Sequence, residues 1–109
     1  MESFSVRCVF RWAPRPSQVA AHLYEERITL WRANSVDHAI ELAEEEAKTY
    51  ASDGTEFLGC SQGFALFESV PVSGVEVFSL LRESELEPKQ YIDAFFDTGA
   101  EYEGEYEPT

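Results

Sequence analysis

The chain of 109 residues is 44% apolar and 14% aromatic and carries a net charge of −13. That length suits one domain with one hydrophobic core, and the apolar content excludes a wholly disordered chain. So acidic a composition lacks the clustered Lys and Arg that phosphate contacts need, which disfavours direct binding to nucleic acid or to an anionic membrane.

The charge is unevenly placed. Residues 1–33 hold five Arg and three Glu, whereas residues 34–109 hold Lys48, Arg82 and Lys89 against 18 acids. The start, "MESFSVRCVF", lacks the basic stretch, apolar run and small-residue cleavage site of a secretory leader. No stretch approaches the roughly 20 apolar residues that span a bilayer. The expected location is the cytoplasm, where Cys8 and Cys60, each inside an apolar run, stay as buried reduced thiols.

In chain order, "FSVRCVFRW" (4–12) alternates with period two and predicts a half-buried strand. Phe4, Val6, Cys8, Phe10 and Trp12 share one face, Ser5, Arg7 and Arg11 the other, with Val9 as the exception. Pro14 and Pro16 make 13–21 a loop. "HLYEERITLWRA" (22–33) predicts a second strand with Tyr24, Glu26, Ile28 and Leu30 on one face. Glu25, Arg27, Thr29 and Trp31 fall on the other, expected to be the wet one. Glu26 stands in register with apolar positions; the expected explanation is a structural ion pair to an arginine on a neighbouring strand, Arg7 or Arg82, and a strand end open to water would also explain it.

Asn34 or Ser35 is a good N-cap, and Asp37 follows in the first turn, where the helix dipole favours it. Val36, Ala39, Ile40, Ala43, Ala47, Tyr50 and Ala51 recur at helical spacing and predict an amphipathic helix over 35–51. Its stripe is small in the middle, so it can lie close to a sheet. His38, Glu41, Glu45 and Lys48 fall opposite, Glu44 and Lys48 are spaced i, i+4, and Leu42 and Glu46 lie at one border. "TEFLGCSQGFALFES" (55–69) reads as extended, with Gly59 and Gly63 marking a bulge or strong twist. Residues 70–74 form a turn around Pro71 and Gly74. "VEVFSLLRES" (75–84) reads as a fourth strand, apolar on both faces and therefore expected to be covered. The expected cover is a short helix within 84–96, with Pro88 at its first position and Tyr91, Ile92 and Phe95 as its stripe.

The fold class is thus α+β: a single domain with an antiparallel four-stranded sheet in β-β-α-β-β-α order. One main helix packs on one face and a short C-terminal helix follows. Residues 1–96 form the globular part. Residues 97–109, with five acids and no base, are expected to be a flexible acidic tail.

"SVRCVFRW", "LYEERITLWRANSVDHAIELAEEEAKTYA" and "VEVFSLLRESELEPKQYIDAFF" together resemble the bacterial family catalogued as domain of unknown function 4288. The most specific stretch is "YEERITLWRA" running straight into the "AIELAEEEA" helix. The resemblance spans residues 4–96 and implies a compact single-domain bacterial protein. It supplies no catalytic motif; the family's Glu-Glu-Arg positions correspond to Glu25, Glu26 and Arg27.

Chemistry-bearing patterns are sparse. His22 and His38 have no C-x-x-C, H-E-x-x-H or D-x-D-x-D-G context, so no metal site and no cofactor is expected. Neither cysteine has an evident histidine partner, no G-x-S-x-G elbow occurs, and "GCSQG" lacks the lysine of a phosphate loop. The expected function is non-enzymatic: a small acidic binding protein, such as an immunity-type or antitoxin-like inhibitor of a basic protein. Glu41, Glu44, Glu45, Trp31, Tyr102 and Tyr106 are the candidate partner-binding residues. One alternative is a homo-oligomeric structural or regulatory domain, so that the partner is another copy of the chain. A further alternative is a nucleic-acid mimic, whose carboxylates stand in for phosphates.

Overall fold

A computed structural model of the protein describes residues 2–52 and 54–96. The acidic tail, with Tyr102 and Tyr106, lies outside the described residues, as does the side chain of Cys60. The elements are β1 (Glu2–Trp12), β2 (His22–Ala33), α1 (Val36–Tyr50), β3 (Thr55–Ala65), β4 (Val75–Ser84) and α2 (Pro88–Tyr91), which runs on into a π-helical turn, Ile92–Phe96. The fold is α+β. The strands form one sheet in the order β3-β1-β2-β4, and every neighbouring pair is antiparallel. Although β3 and β4 are consecutive in sequence, they occupy opposite edges of this sheet.

α1 forms the first core with the apolar face of β1. Phe4, Val6, Cys8 and Phe10 are buried there beneath Val36, Ala39, Ala43 and Ala47 of the helix. The alanines let the helix backbone come close, and Gly63 of β3 permits the same approach. A Cβ on Gly63 would stand 2.6 Å from Cγ2 of Val36 and 3.2 Å from Cγ1 of Ile40. The helix starts at Ser35, whose hydroxyl accepts from the His38 N–H at 3.1 Å. Nδ1 of His38 accepts from the Asn34 N–H at 3.1 Å, so this histidine serves the helix start.

The second strand is turned differently from expectation. Its register with β1 pairs Phe4 with Trp31, Val6 with Thr29, Cys8 with Arg27 and Phe10 with Glu25. Glu25, Arg27, Thr29 and Trp31 therefore lie on the helix-covered face and are only 3%, 7%, 2% and 8% exposed. The expectation of a wet face is corrected. A period of two shows which side chains share a face, but coverage depends on where the helix lands. Trp31 is thus no surface anchor. Its Nε1 donates to Oγ1 of Thr29 at 2.6 Å, and its ring lies 3.4 Å from where a Cβ on Gly74 would be. Gly74 turns with φ +82°, a conformation glycine adopts without cost.

The opposite face holds a second, smaller core of Val9, Tyr24 and Tyr91, flanked by Leu58, Leu86 and Ile92. Val9, the exception to the alternation of β1, is fully buried here. The Tyr24 and Tyr91 rings stack with centroids 4.0 Å apart. The chain after β4 thus packs on β1 and β2 and touches β4 at Arg82, whose guanidinium lies 4.4 Å from the Phe95 ring centroid. This corrects the expected cover: Val75, Val77, Phe78 and Leu81 remain exposed. The short C-terminal helix does begin at Pro88; Pro88–Tyr91 is α-helical and Ile92–Phe96 continues it as a π-helical turn. In β3 the pairing with β1 shifts register between Cys8 and Phe10, and nearby Gly59 has φ +78°.

Candidate functional site

β2 places adjacent carboxylates on opposite faces of the sheet, and each is held in a different way. Glu26, 5% exposed, sits between two arginines on neighbouring strands. Arg7 Nη2 lies 2.7 Å from its Oε1 and Arg82 Nη1 3.0 Å from its Oε2. Tyr91 donates its hydroxyl to Oε2 at 2.7 Å, and Arg82 Nη1 donates to the same hydroxyl oxygen at 3.1 Å. Arg7 also reaches Oε1 of Gln62 at 3.2 Å and the carbonyl of Phe95 at 2.8 Å. The structure thus brings Glu26, Arg7 and Arg82 together, and the cluster ties the C-terminal segment to β1, β2 and β4.

Glu25 faces α1 and accepts from neutral donors. Trp12 Nε1 donates at 2.9 Å, the Tyr50 hydroxyl lies 2.9 Å from both carboxylate oxygens, and the Ser79 hydroxyl bonds Oε2. Next to it, Arg27 uses both terminal nitrogens on Glu46 of α1, at 2.6 and 2.9 Å. Its Nε meets Glu76 of β4 at 2.5 Å, and its guanidinium lies 3.8 Å over the Tyr50 ring. Glu46, read from the sequence as a border residue, is therefore the helix's clamp on β2.

Burial is the main cause that raises the Tyr24, Tyr50 and Tyr91 pKa values above the ordinary tyrosine value. Bonding to Glu25 adds to it and takes Tyr50 up to about 12; bonding to Glu26 adds to it for Tyr91. The unfolded chain ionises its tyrosines near pH ~10. Above that pH the folded chain holds more protons than the unfolded one, so stability falls as pH rises. For Tyr50 the loss extends through about pH 12. Urea-unfolding midpoints at about pH 9 and 11 should therefore decline, and Tyr91→Phe should shallow the decline. A flat or rising midpoint would remove this account.

These groups are spent on one another, which fits a structural role. Among the described residues, no group of three or more His, Cys, Asp and Glu could hold a metal ion. A cleft of about 530 Å³ opens at the strand ends, lined by Arg11, Trp12, Pro14, His22 and Glu56 among others. Its polar groups also have partners: Arg11 pairs with Glu56 at 2.7 Å, and Nε2 of His22 lies 3.2 Å from Oε2 of Glu87. No described helix is long and apolar enough to cross a membrane.

The sheet's edge at β4 differs from all of this. Among the described residues the exposed large apolar side chains are Val19, Phe67, Val72, Val75, Val77, Phe78, Leu81 and Phe95. Val75, Val77, Phe78 and Leu81 lie on β4, Val72 lies just before it, and Val19 bonds to it through its N–H, which donates to Glu83 at 2.9 Å. α1 packs on β3, β1 and β2, so β4 lies beyond its margin. Edge strands are commonly protected by Lys, Pro or bulges. β4 has neither Lys nor Pro, and its only such device is a register shift against β2 between Ile28 and Thr29. The sequence pattern carried this signal, since apolar residues on both faces of 75–82 mark a strand that needs a cover. Of the sequence candidates, Glu41 and Glu45 are exposed and Glu44 half-buried on the outer side of α1, and Trp31 is buried. No family model, curated protein or solved structure matches this chain.

Proposed function

We propose that the protein is a non-catalytic binding module that engages a partner protein along the β4 edge. The observation behind this reading is the set of exposed apolar side chains, Val75, Val77, Phe78 and Leu81, on an edge strand that no described element covers. An edge strand offers unpaired backbone N–H and C=O groups, and a partner strand can pair with them while apolar side chains supply contact area. The acidic outer side of α1, with Glu41, Glu44 and Glu45, adds a negative field that favours a basic partner and speeds its encounter. An inhibitor of a basic protein fits that scheme, as does any module that holds such a protein in an assembly.

The test compares the full chain with a Val77→Lys, Leu81→Lys variant, each immobilised and challenged with lysate of the encoding organism at low and moderate salt. The expected result is one protein retained in stoichiometric amount by the parent chain and lost from the variant. Retention by both would remove β4 from partner binding, and retention by neither at low ionic strength would remove the partner-protein reading. A second reading is self-association, favoured by the same open edge, since two copies could pair β4 with β4. A concentration-dependent mass in sedimentation, abolished by the variant, would support it.

A further inference from the structure

We infer that the β4 edge accepts an extended segment of a partner protein with apolar residues flanked by lysine or arginine. This rests on the reading of β4 as the binding edge and goes further by assigning the occupant's chemistry. Charge along the edge decides it. Glu76 and Glu83 lie on β4 and Glu85 just beyond it, all exposed. The strand's one base, Arg82, is directed inward to buried Glu26 at 3.0 Å, a carboxylate it shares with Arg7, so its charge is partly offset there. Arg27 meets Glu76 from the buried side, at 2.5 Å, and is shared with Glu46. Backbone N–H groups of Val19 and Ala20 hold Glu83 at 2.9 and 3.0 Å, and that of Ala21 holds Glu85 at 3.2 Å. These bonds orient the Glu83 and Glu85 carboxylates without neutralising them. They also anchor the end of the 13–21 loop to the acidic end of the strand, and Val19 there is exposed.

An incoming strand would therefore meet a central apolar stretch, Val77 to Leu81, with acid at both ends. A second copy of β4 brings the opposite of what is needed, because it carries acid to acid in a chain of net charge −13. A neutral apolar strand leaves the flanking carboxylates unmatched. A strand with basic ends satisfies both parts of the edge.

The experiment uses the full chain and three short peptides: valine alternating with lysine around a central threonine, the same pattern with glutamate for lysine, and the lysine form with two central valines replaced by proline. Binding is read by fluorescence anisotropy and by amide hydrogen exchange along the chain. The lysine peptide should bind, protect amides of β4, and weaken at least about tenfold when salt rises from about 50 to 500 mM. The glutamate and proline peptides should bind at least about tenfold more weakly, and the Val77→Lys, Leu81→Lys variant should lose the lysine peptide. If β4 is protected equally by the glutamate peptide, or without salt dependence, the basic-segment inference is overturned and the edge reading survives. If β4 becomes protected with rising protein concentration and no peptide, the occupant is a second copy, and the inference is likewise overturned. Protection confined to other elements would overturn both.

Discussion

Replacing Glu26 with alanine should cost about 3–5 kcal/mol of folding stability, a large part of the ~5–15 kcal/mol typical of a small domain. Glu26 is 5% exposed and is the common acceptor of Arg7, Arg82 and the Tyr91 hydroxyl. Removing it leaves two guanidiniums facing each other across β2 and takes the acceptor from the O–H of fully buried Tyr91, whose oxygen keeps only the bond from Arg82. Arg7 keeps its bonds to Gln62 and the Phe95 carbonyl, and Arg82 is half-buried, so water relieves part of the repulsion. Glu26→Gln keeps one acceptor for Tyr91 and should cost roughly half as much. Glu41→Ala, on the open side of α1, should change stability by no more than about 0.5 kcal/mol. Urea unfolding of the three variants checks the order. A loss below about 1 kcal/mol for Glu26→Ala would show that the cluster is not a structural clamp. Because Tyr91 brings residues 85–96 onto the sheet through this carboxylate, hydrogen exchange in that segment should rise first.

The sequence shows most of the α+β architecture because local signals agree there. Alternation in β1, helical spacing from Val36 to Tyr50 and the glycine-marked turns all act over a few residues. Glu26 stood out by the same logic, as an acid in an apolar register. The other buried carboxylate did not. Glu25, Arg27 and Thr29 alternate as a polar row should on a wet face, and nothing within β2 says that α1 will cover them. Their partners are Glu46 and Tyr50 on the helix, Ser79 and Glu76 on β4, and Trp12 on β1. Those contacts span up to 54 positions and depend on the strand order β3-β1-β2-β4, which no local pattern encodes. The uncovered state of β4 was hidden for a related reason. A strand apolar on both faces predicts a cover, but the stretch expected to supply it is drawn onto β1 and β2 by Tyr91 stacking on Tyr24 and bonding Glu26.

On the helix side of the sheet, Arg27→Ala should be the next most damaging change, at about 3 kcal/mol. Arg27 is 7% exposed and bonds Glu46 with two nitrogens and Glu76 with a third, while its plane lies on the Tyr50 ring. The strength of these contacts raises the Arg27 pKa further despite the opposing effect of burial. The loss should fall below that of Glu26→Ala because the abandoned carboxylates can turn to water: Glu46 is 30% exposed and Glu76 39%. Arg27→Lys separates charge from shape. An ammonium keeps the positive charge but cannot bond Glu46 in parallel or stack flat on Tyr50. If geometry holds α1 to β2, lysine should recover less than half of the loss in thermal or urea unfolding. Full recovery would show that charge alone matters, and that the bidentate clamp and the ring contact add nothing. Arg27 also restrains Glu76 at the start of β4. The alanine variant should therefore free this carboxylate and strengthen, not weaken, the salt-sensitive binding of a basic strand at the edge, provided that the fold survives at the temperature of measurement.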